Sequence, residues 1–281
     1  MTLCFFVSDL HGHTSRYEKL FAKIREDRPG LVLMGGDLLP HGMHRHLDDD
    51  FTEDFLYRRF FELKEQLGEA YPKVYLILGN DDPRLEEEKF IRLGGSGVWT
   101  YLHDRNETSH GFTFYGYANV PPTPFRFKDW ERYDVSRYVD PGCLAPFEGF
   151  HSVKPSVDLE FATIREELNQ LAGEGPFDRS VFLFHSPPYK TFLDRAALDG
   201  KTIDHVPLDV HVGSIAIMRF IEDNQPWLTL HGHIHESSRI TGQWKQSIGR
   251  TFAFNAAWDG PELALIEFNL DDPSGAIRYL I

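Results

Sequence analysis

The sequence is poor in the features that mark secreted and membrane-bound proteins. Its 281 residues contain two cysteines, Cys4 in a predicted strand and Cys143 in a predicted loop, which is too few for a disulfide framework. No apolar run approaches the roughly 20 residues that a membrane span needs. The first residues, MTLCFFVSDL, have no basic segment and no small-residue cleavage site, so they are read as a strand. We therefore expect a soluble, cytoplasmic protein.

Positive charge is also scarce. Lys and Arg number 29 against 43 Asp and Glu, the net charge is −14, and no stretch holds a dense Lys/Arg run. Such a surface repels a polyphosphate backbone unless a local basic groove overrides it, so nucleic acid is not an expected partner. Histidine, by contrast, is abundant, with 14 residues, many of them beside Asp or Gly. Histidine is the commonest metal ligand, which directs attention to metal chemistry.

Apolar runs bounded by turn residues alternate with helix-like segments along the chain. The predicted strands are 3–8, 31–34, 74–78, 98–102, 111–117, 181–184, 227–230, 251–256, 262–269 and 276–280. The predicted helices are 14–27, 51–68, 157–172 and 214–222. This alternation predicts an α/β fold in which two facing mixed β-sheets form a sandwich flanked by helices. No repeat and no flexible linker interrupts it, so a single domain over 1–281 is expected.

Two segments do not fit the alternation. Residues 119–156 are rich in Pro, Gly and aromatics, too long for a plain connection and too aromatic for a disordered one. We interpret them as a long ordered loop that contributes to substrate binding. Residues 40–50 (PHGMHRHLDDD) form a shorter insertion before a helix, and the Asp run at its end suits a helix N-terminus.

Short polar patterns directly follow five of the predicted strands, at the edge where sites form in open α/β sheets. They are SDLHGH with Asp9 and His11, GGD with Asp37, GND with Asn80, FHSPP with His185, and HGHIH with His233 and His235. Asp and His together suit Mn, Fe or Zn. The D-x-H and H-x-H spacings place both side chains on one side of extended backbone. Gly35, Gly36, Gly79 and Gly232 let the backbone pass close to a metal.

These patterns, in this order, resemble the calcineurin-like metallophosphoesterase superfamily, whose signature reads D-x-H, G-D, G-N-H, H and G-H-x-H. The resemblance covers residues 9–235, and the stretch from HVGS to HGHIHES is similar to a prokaryotic branch of unsettled substrate. It implies a four-layer fold and two divalent ions, about 3.5–4 Å apart, that hydrolyse phosphate esters through a bridging hydroxide.

The resemblance also implies a role for each ligand. Asp9, His11 and His235 would bind one ion, Asn80, His185 and His233 the other, and Asp37 would bridge them. The implied catalytic residues are Asn80, His185 and the residue that follows Asn80.

That residue departs from the family pattern, because GNDD places Asp81 where G-N-H has a histidine near the leaving group. An ordinary Asp titrates near ~3.9, and nearby dications lower this further, so an ionised Asp81 cannot protonate a leaving alkoxide. Three explanations stay open. The substrate has an activated leaving group, another histidine (His13, His41 or His103) supplies the proton, or the site binds with little turnover.

Several further residues have both a functional and a structural interpretation. His13, His41, Arg126 and Lys128 are candidate substrate contacts, although His13 also suits a helix start and the cations suit an aromatic-pinned loop. His44 and His46 are expected to be solvated. Ser214 is expected to cap a helix, whose N-terminus is also a possible anion site. Asn255 is a possible support for the ligands.

Hydrolysis of a small-molecule phosphodiester or nucleotide is the favoured function. The alternatives are a low-turnover phosphate-binding or scaffold protein on the same fold, and a nuclease. The presence of all seven ligands argues against the scaffold, and the acidic balance argues against the nuclease. The sequence does not indicate the oligomeric state.

Overall fold

The computed structural model describes residues 2–41 and 50–281. His44 and His46 lie outside the described residues. The helices are α1 (Thr14–Asp27), α2 (Arg58–Leu67, preceded by a π-helical stretch Phe51–Tyr57), α3 (Glu87–Gly94), α4 (Ile164–Ala172), α5 (Ile215–Asn224) and α6 (Ser237–Thr241). Among the described residues, no helix is both long and apolar enough to cross a bilayer.

The strands form two mixed sheets, as the sequence predicts, and each sheet has six strands. The first has the order β14 (Asp272–Leu280), β13 (Ala264–Asn269), β1 (Leu3–Val7), β2 (Leu31–Gly35), β3 (Lys73–Ile77), β4 (Thr100–Tyr101). The second has the order β11 (Lys245–Ile248), β12 (Thr251–Asn255), β10 (Leu228–His231), β7 (Ser180–Phe184), β6 (Phe112–Tyr117), β5 (Arg105–Ser109). A hairpin of β8 (Thr202–Ile203) and β9 (Val206–Pro207) stands apart from both.

The sheets face each other across an aromatic core. Tyr75 of β3 contacts Phe114 of β6 with ring centroids 4.9 Å apart, and Phe254 of β12 contacts Phe268 of β13 at 5.8 Å. Strands β1, β2 and β3 are parallel, as are β6, β7, β10 and β12. Their carboxyl ends therefore meet at one edge of the sandwich, where the polar patterns follow β1, β2, β3, β7 and β10.

Some predicted boundaries are wrong, and some elements were not predicted. The helix expected over 157–172 begins only at Ile164, capped by the Thr163 side chain. Strand β5 and helix α3 were missed because β5 is an exposed edge strand without apolar alternation and α3 begins in a run of Glu. The predicted cap is confirmed, since the Ser214 hydroxyl accepts a hydrogen bond from the Ile217 amide.

The long loop 119–156 is fastened to the sandwich by buried side chains. Trp130 is fully buried, and its indole N–H donates to the carbonyl of Asp82 at 2.7 Å. Asp129 accepts hydrogen bonds from the backbone amides of Arg84 and Ser152. These contacts hold the loop beside the strand ends, where it forms one wall of a cleft.

Candidate metal centre

Four of the predicted ligands form one cluster at the ends of β1, β2 and β10. Nε2 of His235 lies 3.1 Å from Nε2 of His11 and 3.1 Å from Oδ1 of Asp9. Oδ2 of Asp37 lies 4.0 Å from Nε2 of His11. One donor atom from each of the four side chains lies within 4.8 Å of the others. Two carboxylates and two imidazoles converging in this way can hold a divalent ion such as Mn, Fe or Zn.

The other three predicted ligands are linked to this cluster through His185, which contacts Asp37. Nε2 of His185 is 3.0 Å from Oδ1 of Asn80 and 3.3 Å from Oδ2 of Asp37. The His185 and His233 ring centroids are 5.2 Å apart. Nδ1 of His185 donates to the carbonyl of Gly35 at 2.8 Å, which directs Nε2 toward the cluster. All seven predicted ligands are therefore brought together, with Asp37 in contact with both groups.

The backbone is strained where it presents these ligands. Asp9, His11, Asp37 and His233 have φ angles of 57°, 47°, 52° and 70°, a region that side chains other than Gly seldom occupy. Strain of this kind persists only where surrounding structure enforces it, and it concentrates at functional sites.

Glycines provide the close approach that the ligands need. A Cβ at Gly79 would lie 2.3 Å from Oδ1 of Asp37, and one at Gly232 would lie 2.5 Å from Oδ2 of Asp9. Neither distance is compatible with a side chain, so the carboxylates can point inward only because these positions are glycine.

Two buried residues that the sequence analysis did not select support the ligand loops. Asp82 is fully buried, and its carboxylate accepts hydrogen bonds from the amides of Leu38, Leu39 and Gly79 at 3.0, 2.7 and 2.9 Å. It thereby fastens the loop after β2 to the loop after β3. Arg16 of α1 donates to the carbonyl of Asp9 at 2.8 Å.

Replacing Asp82 with Ala should destabilise the protein strongly. Three backbone N–H groups would be left without their acceptor inside the protein, at about 1–3 kcal/mol each when they stay unsatisfied. We expect the free energy of unfolding, measured by urea denaturation, to fall by about 3 kcal/mol or more. The matched control is Asp178→Ala on the surface, expected to change it by less than about 1 kcal/mol. Equal stability of the two variants would show that Asp82 does not fasten the loops.

The carboxylates and imidazoles of the cluster shift one another's pKa values. Burial lowers the pKa of His185, but the charges of Asp37 and Asp9 outweigh burial and raise that pKa to about 10. Burial likewise opposes protonation of His235, but its hydrogen bond to Asp9 raises its pKa to about 9. The pKa of Asp37 is lowered against the effect of burial, chiefly by His185. In the metal-free chain, protons on His185 and His235 thus partly neutralise the carboxylates.

Metal binding should therefore release protons. An ion binds neutral imidazole, so at pH 7 it must displace the protons held by His185 and His235. Because both pKa values are raised, apparent metal affinity should fall as pH falls below about 9, by up to about 100-fold per pH unit when two protons are displaced. Calorimetric titration with Mn²⁺ in buffers of different ionisation enthalpy measures this release. Binding at pH 7 without proton release would contradict the protonation of these two histidines.

Asp81 stands beside the cluster with His41. Oδ2 of Asp81 lies 3.9 Å from Nδ1 of His11 and 3.5 Å from Nδ1 of His41, and the His41 ring stacks on His11 at 4.4 Å. In the metal-free chain, burial and then the charges of Asp37 and Asp82 raise the pKa of Asp81 to about 8. Bound cations would act in the opposite direction.

The other two candidate proton donors lie elsewhere. His13 is the N-cap residue of α1, and its exposed side chain makes no capping hydrogen bond. His103 is buried, and its Nδ1 accepts a hydrogen bond from the amide of Ala118. Burial, and then the charges of Arg84 and Arg132, lower the pKa of His103 well below its usual value. His41 is therefore the candidate that the fold brings to Asp81.

Neither of the two cations predicted to contact the substrate, Lys128 and Arg126, faces the cleft. Lys128 is fully buried, where its Nζ contacts Oε2 of Glu131 at 2.5 Å and donates to the carbonyl of Thr123 at 2.7 Å. Its ammonium is committed to the interior of the loop and does not face the cleft. Arg126 is exposed and does not line the cleft. The structural interpretation of Lys128, a loop pinned by its aromatics, is therefore the one that the structure supports.

The predicted anion site at the start of α5 and the predicted ligand support Asn255 both make hydrogen bonds within the protein. The N-terminus of α5 holds the carboxylate of Asp134, which accepts from the Ser214 hydroxyl and from the Ile215 and Ala216 amides. It is therefore not open to an anionic ligand. Asn255 is buried and donates to the carbonyl of Leu193 at 2.9 Å, so it supports a neighbouring loop.

Comparison with known proteins agrees with this architecture. No curated protein matches the chain. One solved structure has 16% identity and a TM-score of 0.62, with 99% of this chain and 98% of that chain covered. TT1561 of Thermus thermophilus has 15% identity and a TM-score of 0.55, with 99% and 98% covered. A dimetal phosphatase from Danio rerio has 13% identity and a TM-score of 0.52, with 95% and 91% covered. At these identities the likeness concerns the fold.

The family comparison is more specific, because it follows the sequence patterns. The model of the calcineurin-like phosphoesterases matches residues 4–237, a range that contains all seven predicted ligands. The strand-end placement of those ligands and the facing mixed sheets agree with this match. The chain belongs to the calcineurin-like phosphoesterase family.

Proposed function

We propose that this chain is a dinuclear metallophosphoesterase that favours phosphodiesters over phosphomonoesters. The observation that carries the proposal is the placement of seven Asp, Asn and His side chains from five strand ends at one edge of the sandwich, four of them with donor atoms within 4.8 Å of one another. Asp9, His11 and His235 are proposed to hold one ion, and Asn80, His185 and His233 the other. Asp37, which contacts both groups, is proposed to bridge them.

The ions would supply a deprotonated water nucleophile and neutralise charge on the phosphoryl oxygens. The protein's own residues set the geometry for that chemistry. Nδ1 of His185 is fixed by the Gly35 carbonyl, and the Asp81 amide donates to Oδ1 of Asp37 at 2.8 Å. These contacts hold the ligand atoms in place before any substrate binds, which limits reorganisation during the reaction.

A preference for activated leaving groups follows from Asp81, and a preference for diesters follows from the acidic charge of the site. Two cations held by the neighbouring ligands would keep Asp81 as a carboxylate, which would not donate a proton to the departing oxygen. A leaving group that departs readily as an anion, such as an aryl oxide, needs no donor. A phosphodiester also brings one negative charge to this acidic site, whereas an ionised monoester brings two.

The assay that tests the proposal uses chain stripped of metal and reloaded separately with Mn, Fe, Zn, Ni or Co. We expect hydrolysis of bis-p-nitrophenyl phosphate to exceed that of p-nitrophenyl phosphate with at least one metal. No hydrolysis of either compound with any metal would overturn the enzymatic function in favour of phosphate binding. Salt-sensitive nucleic-acid binding together with cleavage would instead favour a nuclease.

A further inference from the structure

A cleft of about 520 Å³ opens directly from the ligand cluster. Asp37, Asn80, His233 and His235 lie at one end of it. Its walls come from the loop 119–156 and from the segment 189–213, which contains the hairpin β8–β9. A phosphoryl group at the metal ligands would therefore extend its organic substituent between these two segments.

The walls of the cleft are largely apolar. Val135 lies on the loop side, and Leu198, Ile203 and Leu208 lie on the opposite side. Four prolines of the loop add further apolar surface. Ile203 keeps 38% of its surface exposed, and Tyr138 at the loop margin keeps 67%. Apolar area of this kind is stabilised when a ligand removes it from water.

Apart from histidines, the ionisable side chains that line the cleft between its two walls are mainly carboxylates. Of the described residues that line it, none is Lys or Arg. The carboxylates of Asp134, Asp140, Asp209 and Glu236 lie along it in addition to those near the metal ligands. The N-terminus of α5, which also lines it, is already filled by the carboxylate of Asp134. A second anionic group on the substrate, placed away from the ligand cluster, would therefore meet these carboxylates and, within the described lining, no lysine or arginine.

We infer that the cleft binds an apolar, uncharged substituent, aryl or alkyl, of the phosphate ester whose phosphoryl group lies at the metal ligands. The cleft discriminates against substrates that carry a second anionic group, such as nucleoside diphosphates and triphosphates. This inference rests on the proposed function, since it takes the ligand cluster as the phosphoryl site. It narrows the proposed substrate class from phosphodiesters and nucleotides in general to phosphate esters with an apolar, uncharged substituent.

Phosphonates test the inference by binding alone, because they keep the metal-binding group and cannot be hydrolysed. Mn²⁺-loaded chain is titrated calorimetrically with methylphosphonate, phenylphosphonate and 3-phosphonopropionate. We expect phenylphosphonate to bind at least about tenfold more tightly than methylphosphonate, since its ring is buried against the apolar walls. 3-Phosphonopropionate should bind more weakly than methylphosphonate.

A charge placed in the cleft should reverse this order. Ile203→Lys introduces a cation on β8, and it should tighten binding of 3-phosphonopropionate at least about fivefold while weakening that of phenylphosphonate. Val206, its cross-strand partner on β9, is exposed and does not line the cleft, so Val206→Lys is the matched control and should bind both as the wild type does.

The outcomes separate the two proposals. Equal affinities for the three phosphonates, or tightest binding of 3-phosphonopropionate to the wild type, would overturn the inference about the cleft alone. Failure of every phosphonate to bind the Mn²⁺-loaded chain would overturn the proposed phosphoryl site, and the inference with it. Identical effects of Ile203→Lys and Val206→Lys would show that net charge, and not the cleft, sets the preference.

Discussion

Asp37→Asn should reduce kcat/KM for bis-p-nitrophenyl phosphate by at least about 1,000-fold. Asp37 contacts both ligand groups, with Oδ2 lying 3.3 Å from Nε2 of His185 and 4.0 Å from Nε2 of His11. An amide in place of this carboxylate offers one neutral oxygen and cannot bridge two cations. Loss of one ion removes several kcal/mol of transition-state stabilisation, and about 4 kcal/mol corresponds to 1,000-fold.

The loss should be chemical and not a consequence of unfolding. Asn keeps the side-chain volume and an oxygen that can accept the hydrogen bond of the Asp81 amide. The matched control is Asp129→Asn, which changes a similarly buried carboxylate in the long loop and should retain the bound metal. A folded Asp37→Asn variant with activity within about tenfold of the wild type would contradict the bridging role.

Asp81→His should raise turnover of a dialkyl phosphodiester about 10- to 100-fold. General acid catalysis by a positioned group contributes typically 10²–10⁴-fold, and a histidine supplies it near neutral pH whereas an ionised Asp does not. Hydrolysis of an aryl diester, whose leaving group departs without protonation, should change by less than about threefold. The measurement is the dependence of kcat on leaving-group pKa, which should become shallower in the variant.

Asp81→Asn separates the addition of a donor from the removal of a charge. This variant loses the carboxylate without gaining a group that titrates near neutral pH, so alkyl turnover should stay low. If Asp81→Asn and Asp81→His had equal effects, repulsion by the carboxylate would explain the result. An unchanged alkyl turnover in Asp81→His would mean that another group, with His41 nearest to Asp81 among the histidines considered, already donates the proton.

The positions of the candidate ligands were predictable because the sequence signals for them are local. Each ligand follows a buried strand, and parallel strands necessarily bring their carboxyl ends to one edge. The residues that hold the ligand loops in place were harder to predict. The role of Asp82, for example, depends on two amides more than 40 residues away in sequence. Asp134 is similar, because it caps a helix about 80 residues further along the chain.

The function of the long loop 119–156 could not be predicted from local sequence patterns. Its cations and aromatics fitted both a substrate contact and a pinned loop, and the structure buries Lys128 against Glu131. The apolar cleft was not predicted, because its walls come from two segments that are distant in sequence and have no shared periodicity. The edge strand β5 was missed for a related reason, since its exposed side chains carry no burial pattern.

Metal stoichiometry tests the dinuclear centre most directly. Chain stripped of metal, reloaded with excess Mn²⁺ and freed of unbound ion is analysed by elemental mass spectrometry, beside Asp37→Asn and Asp129→Asn. We expect close to two ions per wild-type chain, two for Asp129→Asn, and one or fewer for Asp37→Asn. One ion or none in the wild type, or two in Asp37→Asn, would contradict a centre bridged by Asp37.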